Sequence, residues 1–201
     1  MDHYLTIEKL SEAEYKDRGS RFIAYAFPVA GIGSFKKKLQ EIKKDHSKAT
    51  HHCFAYRIGV DGNNFRVSDD GEPAGTAGKQ ILGQIDSKSL VNTAVIVVRY
   101  FGGTLLGVPG LINAYKTVTA YALQLTPVTK KQIESIYFLE FDYTKMNDIM
   151  RVIKDFECTM IEKNLELFCK IKVGIPNKQL IGTLNSFKEI PGVEIKSVEN
   201  M

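Results

Sequence analysis

Three carboxylates stand within four positions of a glycine-rich loop: Asp69, Asp70 and Glu72. Carboxylate oxygens suit a hard cation such as Mg²⁺. The same side chains could instead cap helix N-termini and accept hydrogen bonds from loop amides. The spacing is not that of an EF-hand, and no glutamate closes a twelve-residue loop. We therefore predict no resident metal and no cofactor, with Asp69 and Asp70 as the ligands if a metal does bind.

The segment after these carboxylates approaches a nucleotide-binding loop but lacks its defining residues. A P-loop follows the pattern G-x-x-x-x-G-K-[ST]. Pro73 and Gln80 stand where this pattern needs the first glycine and the final hydroxyl. The free amides and the dipole at the next helix N-terminus could still attract an anion. Thr76 and Lys79 are therefore candidate binding-cleft residues.

A second glycine loop joins an apolar strand to a helix and contains Arg99, Tyr100, Phe101, Gly102 and Gly103. A planar guanidinium, aromatic rings and exposed amides together suit phosphate contact and base stacking. Alternatively, the rings belong to the core and the glycines make tight turns against the sheet. An arginine that ends a long apolar strand delivers its charge to a rim or a partner. We expect this loop to share one cleft with residues 69–72.

Two adjacent histidines, His51 and His52, precede Cys53. Neighbouring residues of a strand point to opposite faces of the sheet, so the two rings cannot easily bind one ion together. His52 alone could join the acidic loop, and it is included among the binding-cleft candidates. It could equally be a histidine whose hydrogen bonds are satisfied within the fold.

The hydrophobic pattern of residues 1–128 predicts strands and helices around these loops. Ser34 can cap a helix that carries Phe35, Leu39 and Ile42 at helical spacing. Residues 93–98 form a continuous apolar run, which is typical of a strand buried on both faces. The remaining predictions are extended segments over 4–29, 51–60 and 65–67, an Asp61-Gly62 turn, and helices over 78–85 and from about Leu111.

Residues 132–201 have the order βαββαβ, which is the ferredoxin-like arrangement. Its two middle strands are predicted to turn at Lys163-Asn164. In a two-residue hairpin there, Cys158 and Cys169 would face each other as small buried hydrophobes. No CxxC pair, nucleophile elbow or SxxK pattern accompanies them, so we assign them no catalysis.

Bulk composition is that of an ordinary globular chain of 201 residues, with 44% hydrophobic and 25% charged residues. This length allows one large domain or two small ones, and the pattern favours two, over residues 1–128 and 132–201. No run approaches the roughly 20 apolar residues of a membrane span. The start of the chain is not that of a secretory signal, and the three cysteines form no disulfide framework. We therefore expect a cytoplasmic protein with no membrane partner.

Positive charge is concentrated in the first part of the chain. Up to Lys130 there are 17 Lys and Arg against 12 Asp and Glu, and after it 10 against 11. A basic N-terminal part fits contact with a polyanion, although a solvated surface explains the same charges. The candidate nucleic-acid contacts are Lys36, Lys37, Lys43, Arg57, Arg66 and Arg99.

Three ordered blocks within residues 49–121 resemble the IMPACT/YigZ family, in its two-domain bacterial form. They are Ala49-Thr50-His51-His52-Cys53-Phe54-Ala55-Tyr56-Arg57, then Ser68-Asp69-Asp70-Gly71-Glu72-Pro73-Ala74-Gly75-Thr76-Ala77-Gly78, then Val97-Val98-Arg99-Tyr100-Phe101-Gly102-Gly103 with Leu106-Gly107, Gly110-Leu111 and Ala114-Tyr115. The chain departs from the family at Val108-Pro109, where many relatives have glycine, and at Asn113, where they often have arginine. Both changes weaken a phosphate contact at the second loop.

The resemblance implies an α+β fold in which a domain like the second domain of a small-subunit ribosomal protein precedes the ferredoxin-like domain. Eukaryotic relatives regulate translation by competing with a kinase for its activator. The basic N-terminal part motivates the first hypothesis, a non-catalytic, translation-linked protein that contacts RNA or the ribosome. A Mg²⁺-dependent enzyme acting on a phosphorylated substrate is the alternative, although no base–nucleophile pair is identifiable by spacing. A protein–protein adaptor in stress regulation of translation is the third hypothesis.

Overall fold

The computed structural model describes residues 2–198, whose backbone divides into two compact units. The first unit is Tyr4–Lys131, and the second begins at Gln132 and includes Asp2 and His3. Helices and antiparallel strands occur in both, so the predicted α+β class is confirmed. Within the described residues, no helix has both the length and the hydropathy needed to cross a membrane.

Five antiparallel strands form the main sheet of the first unit, in the order β2-β3-β6-β4-β5. Strands β1 and β7 pair separately. The strand bounds are β1 His3–Ile7, β2 Ser11–Asp17, β3 Ser20–Pro28, β4 His51–Ile58, β5 Asn64–Ser68, β6 Thr93–Tyr100 and β7 Val128–Gln132. The central strand β6 is buried from Thr93 to Arg99, as its continuous apolar run predicts.

Three helices cover the two faces of this sheet: α1 Ile32–Asp45, α2 Gly78–Ser87 and α3 Gly107–Gln124. Helix α1 packs on one face, where the Phe35 ring lies 5.0 Å from that of Phe54. Helices α2 and α3 pack on the opposite face, against the core that contains Val95 and Val97. Because both faces are covered, the sheet has two apolar layers and β6 contributes to each.

Two helix starts differ from the sequence prediction. Ser34 does not cap α1: the helix begins at Ile32 with Gly31 as its N-cap, and the Ser34 hydroxyl donates to the Gly31 carbonyl at 2.8 Å. Helix α3 begins at Gly107 rather than near Leu111. Its first turn accommodates Pro109, since the amide that proline lacks would have no partner in that turn.

The second unit has the predicted βαββαβ order. Its elements are β8 Glu134–Asp142, α4 Met146–Asp155, β9 Thr159–Asn164, β10 Phe168–Pro176, α5 Leu180–Lys188 and β11 Glu194–Ser197. The sheet order is β11-β8-β10-β9 and every pair is antiparallel, which is the ferredoxin-like topology. Helix residues Ile149 and Phe187 pack against Leu139 and Ile171 of the sheet.

The predicted hairpin turn at Lys163-Asn164 is wrong. Asn164 is still paired, with Lys170, and the strands are joined by residues 165–167. Cys169 therefore lies opposite Phe141 of β8, while Cys158 precedes β9, so the two thiols do not face each other. Two residues of this connection are leucines, with Leu167 75% exposed, and a hydrophobicity pattern does not mark such a turn.

Candidate functional site

The acidic loop and the second glycine loop meet at one end of the five-stranded sheet. The register of β4 and β6 places His51 opposite Arg99. Arg99 Nη1 in turn donates to Glu72 Oε1 at 2.7 Å. A groove of about 420 Å³ opens here, with His51, Glu72 and Arg99 at its floor. Its exposed rim consists of Phe101, Leu105 and Val108, and we refer to these six residues as the Arg99 groove.

A buried ion pair forms the floor of the Arg99 groove. The side chains of Arg99 and Glu72 are 6% and 3% exposed. Glu72 Oε1 also accepts the Tyr115 hydroxyl at 2.8 Å. Burial raises the pKa of Tyr115 well above its ordinary value, so the phenol keeps its proton and donates it to the carboxylate. The carboxylate is thus held by two donors, both of which bond to Oε1.

The Arg99 guanidinium is fixed by aromatic rings as well as by Glu72. Its central carbon lies 5.3 Å from the Phe22 ring and 5.6 Å from the Phe101 ring. Nη2 donates to Ser20 Oγ at 3.3 Å. Nε is buried and has no hydrogen-bond partner among residues 2–198. The guanidinium therefore lines the groove with one donor unmatched.

The tautomer of His51 follows from its hydrogen-bond partner. Nδ1 lies 2.8 Å from the Asp70 carbonyl oxygen, which can only accept, so in the neutral ring Nδ1 carries the hydrogen. Nε2 then carries a lone pair, and it lies 3.9 Å from Glu72 Oε1. Two acceptors thus face each other across the floor of the Arg99 groove.

The Asp69 carboxylate lies at the N-terminus of α2, where the free amides could have attracted an anion. Its carboxylate accepts the backbone N–H groups of Gly75, Ala77 and Gly78 at 2.9, 3.0 and 2.8 Å. The anion site expected at the start of α2 is therefore filled by the protein itself. Thr76 is buried, with its hydroxyl donating to the Pro73 carbonyl.

Asp70 is the one exposed carboxylate of the three, and it lies outside the groove floor. Its Oδ2 accepts the backbone N–H of His52 at 2.7 Å, and Lys43 Nζ lies 3.8 Å from Oδ1. Lys79 is exposed at the first turn of α2. Across residues 2–198, no group of three His, Cys, Asp or Glu side chains is placed to hold a metal ion.

His52 and Tyr100 lie on the α1 face of the sheet, away from the Arg99 groove. The His52 ring is bonded to the His46 carbonyl at 3.2 Å, and its burial lowers the pKa of the ring. The Tyr100 hydroxyl meets His46 Nδ1 at 2.8 Å. The period of the strand explains this correction, since the neighbours His51 and Arg99 take the groove face instead.

Gly102 and Gly103 have different structural reasons to be glycine. A Cβ on Gly102 would overlap the backbone of Gly19 and Ser20, so this glycine allows two loops to touch. Its amide donates to Ser20 Oγ at 3.3 Å and is not free for phosphate. Gly103 has φ +85 with open space around it. The amides expected to bind phosphate are therefore partly engaged within the protein.

The six candidate nucleic-acid residues do not form one continuous surface. Arg57 is held by Asp86 through two bonds of 2.8 and 2.9 Å on the α2 face, and Arg99 is buried. Lys36 and Lys37 are exposed on α1, and Lys43 lies beside Asp70. The exposed Arg66 is opposite Tyr56 on edge strand β5. The exposed lysines among these six residues therefore all lie on α1.

Tyr115 and Ser20 are site residues that the sequence did not single out. Tyr115 looks like one member of the apolar stripe of α3, and Ser20 like the polar start of a strand. Tyr115 is fully buried, and a buried tyrosine needs a hydrogen-bond partner for its hydroxyl. This requirement could have linked Tyr115 to a nearby carboxylate.

Comparison with protein families gives a match to the Impact N-terminal domain over residues 18–123. An IMPACT family member of Haemophilus influenzae is 31% identical over 182 residues, which are 90% of this chain and 88% of that protein. The Bacillus subtilis IMPACT family member YvyE is 35% identical, covering 79% of this chain and 73% of its own length. The Escherichia coli IMPACT family member YigZ is 33% identical, covering 78% of each.

The complete fold also has a solved counterpart. A crystal structure of a hypothetical protein superposes with a TM-score of 0.76 and 27% sequence identity, over 100% of both chains. The similarity therefore includes the ferredoxin-like unit as well as residues 18–123.

Proposed function

Because this chain belongs to the IMPACT family, we propose that it is a translation-linked binding protein that contacts RNA or the ribosome and performs no catalysis. The family resemblance supports the link to translation. The observation that carries the contact with RNA is a group of exposed lysines on α1 and the turn after it. We call this group the basic α1 surface: Lys36, Lys37, Lys43, Lys44 and Lys48.

Few acidic groups oppose the basic α1 surface, and one of them, Asp70, lies 3.8 Å from Lys43. Within α1, Glu41 is paired with Lys38 at 3.1 Å, and Asp45 is the other acidic residue. Lys43 and Lys44 stand in the last helical turn, where positive charge is also favoured by the helix dipole. Phosphate groups that replace counterions on such a surface give binding that weakens steeply with salt.

The geometry of the Arg99 groove supports binding rather than catalysis. Glu72 is held by Arg99 and Tyr115, and Asp69 by three backbone amides. Burial raises the pKa of the Cys53 thiol to about 12, so it is not a nucleophile at neutral pH. A Mg²⁺-dependent phosphoryl reaction would have Asp70 as its exposed carboxylate ligand, because Asp69 and Glu72 already accept hydrogen bonds within the protein.

Equilibrium binding of labelled ribosomes and of single-stranded RNA tests this proposal, with purified protein between about 50 and 200 mM salt. We expect the affinity to fall by at least tenfold over this range. The triple variant Lys36→Glu, Lys37→Glu, Lys44→Glu should bind at least tenfold more weakly than wild type and show a smaller salt slope. Lys154→Glu, Lys178→Glu, Lys188→Glu in the second unit makes the same change in net charge and should bind as wild type.

Two results contradict the proposed function. One is the absence of any salt-sensitive affinity for RNA or ribosomes at the lowest salt concentration. The other is equal weakening by the two triple variants, because binding would then follow net charge instead of the basic α1 surface.

A protein adaptor is the second candidate function, favoured by exposed apolar side chains at the β9–β10 connection. Leu165, Leu167 and Phe168 are 45%, 75% and 76% exposed there. Apolar groups exposed together in this way mark sites of protein contact. Affinity capture from cells, with and without nuclease, separates the two: a partner that survives nuclease and is lost in Leu167→Ser, Phe168→Ser supports the adaptor.

A further inference from the structure

The floor of the Arg99 groove has hydrogen-bonding groups that the described residues leave unmatched. In the neutral ring, whose Nδ1–H donates to the Asp70 carbonyl, His51 Nε2 presents a lone pair to Glu72 Oε1 across 3.9 Å. No donor of residues 2–198 bridges these two acceptors. Arg99 Nε is the opposite case, a buried donor without an acceptor. A matching ligand therefore brings one donor and one acceptor close together.

The rim of the same groove presents an aromatic platform. Phe101 is 47% exposed, while the Arg99 guanidinium lies against its ring at 5.6 Å. Leu105 and Val108 are 81% and 50% exposed on the opposite part of the rim. An aromatic ring with open space beside it stacks planar ligands, and apolar neighbours exclude water from the stack.

The charge of the floor argues for a neutral ligand. Arg99 and Glu72 cancel each other within 2.7 Å, and His51 adds no charge in the neutral form whose Nδ1–H donates to the Asp70 carbonyl. An ammonium group would add an uncompensated positive charge beside the buried guanidinium, which is costly at low dielectric. A neutral N–H group satisfies the facing acceptors without that cost.

We propose that the Arg99 groove binds an unpaired adenine or cytosine of RNA, whose Watson–Crick edge has an exocyclic amino group beside a ring nitrogen with a lone pair; on the same edge of guanine, the ring nitrogen beside the amino group carries a hydrogen. This inference rests on the proposed function, since the RNA is the one held by the basic α1 surface. In both bases the amino group is adjacent to a ring nitrogen with a lone pair. The amino group donates to His51 Nε2 and Glu72, the ring nitrogen accepts from Arg99, and the ring stacks on Phe101.

Other ligands fit the groove less completely. Uracil places a carbonyl oxygen where adenine and cytosine carry the amino group, so a third acceptor would face His51 and Glu72. A backbone amide of a peptide offers both a donor and an acceptor, but it has no ring to stack on Phe101. The position of the groove also favours RNA, because Thr50 in its wall is two residues from Lys48 of the basic α1 surface.

Fluorescence anisotropy with labelled homopolymeric oligoribonucleotides of equal length tests the base site. Wild-type protein should bind oligo(A) and oligo(C) about tenfold more tightly than oligo(U) at the same salt concentration. Phe101→Ala should weaken oligo(A) binding by about tenfold and oligo(U) binding by a smaller factor, because uracil lacks the hydrogen bonds that hold the base on the ring. Phe168→Ala removes a phenylalanine that is more exposed, in the other unit, and should bind all three as wild type.

His51→Phe separates hydrogen bonding from stacking. It keeps a ring of similar size and removes the Nε2 acceptor, so the preference for oligo(A) and oligo(C) should disappear while overall RNA affinity persists. A thermal unfolding curve establishes that the variant is folded; if it is not, His51→Leu, which also lacks an acceptor, serves the same purpose.

Different experimental results would overturn the base site and the contact with RNA. Salt-sensitive, lysine-dependent binding with equal affinities for the three oligonucleotides, unaffected by Phe101→Ala, overturns the base site and leaves the RNA contact intact. Absence of binding to any RNA overturns both. Nuclease-resistant capture of a protein that is lost in Phe101→Ala shows that the groove takes a peptide, which also overturns the base site.

Discussion

Arg99 and Glu72 are 27 positions apart in the chain and form an ion pair of 2.7 Å that is almost completely buried. The pair connects the end of β6 to the loop before α2, and it thereby holds together the two loops that line the Arg99 groove. Tyr115 of α3 donates to the same carboxylate oxygen, so three elements meet at one atom.

Breaking this ion pair should be strongly destabilising. Arg99→Met leaves Glu72 as a buried, unpaired carboxylate, and we expect the free energy of unfolding to fall by about 3–5 kcal/mol. The double variant Arg99→Met, Glu72→Gln should recover part of that loss, because no charge is left unpaired. Urea denaturation measures both. The exposed pair Lys38–Glu41 is the control, since Lys38→Met should cost less than about 1 kcal/mol. A similarly small loss of stability in Arg99→Met would contradict a buried ion pair at the floor of the Arg99 groove.

The two adjacent loop glycines should respond differently to alanine. Gly102→Ala forces a methyl group into the backbone of Gly19 and Ser20, and we expect a loss of several kcal/mol or failure to fold. Gly103→Ala meets no neighbour and has only the strain of φ +85, about 1–2 kcal/mol. Thermal unfolding of the two variants measures the difference. Equal effects would show that the loops do not touch.

His52 should make the stability depend on pH near neutrality. Burial lowers the pKa of His52 below its ordinary value of 6.5, helped by the nearby charge of Lys43 and opposed by the His46 carbonyl and Asp70. The unfolded chain therefore binds this proton more readily than the folded one. The contribution is fully present above pH 6.5 and is lost as the pH falls through and below 6.5.

Denaturant unfolding at pH values from about 8 down to 5 measures this loss. His52→Gln retains a donor for the His46 carbonyl and does not titrate, so its stability should decrease less over this range. Values above pH 5 avoid Glu140, whose pKa the ammonium groups of Lys170 and Lys196 hold at about 2 and which loses its contribution only below its ordinary value of 4.5. Equal slopes for the two proteins would exclude His52 as the source.

Removal of the Asp69 carboxylate should loosen the acidic loop without affecting metal binding. Asp69→Ala leaves three backbone amides at the start of α2 without an acceptor, which should cost about 2 kcal/mol or more. Calorimetric titration with Mg²⁺ should give no binding heat for wild type, Asp69→Ala or Asp70→Ala. Binding heat that is lost in Asp70→Ala would revive the metal-dependent alternative.

Short-range patterns were enough to predict much of the fold. The βαββαβ order of the second unit and the buried strand β6 follow from hydrophobic period and length, because each element must bury its own apolar face. The hairpin connection at residues 165–167 could not be predicted in this way, since its leucines are exposed and no glycine or proline marks the turn.

The sequence alone determined which residue types could do chemistry and that they belong to two glycine loops. Only the tertiary structure decided what each one does. Asp69, Asp70 and Glu72 are nearly adjacent, yet one caps α2, one bonds to β4 at the surface and one is buried against Arg99. The physical reason is that backbone geometry sends neighbouring side chains in different directions, while the register of β4 and β6 brings distant ones together.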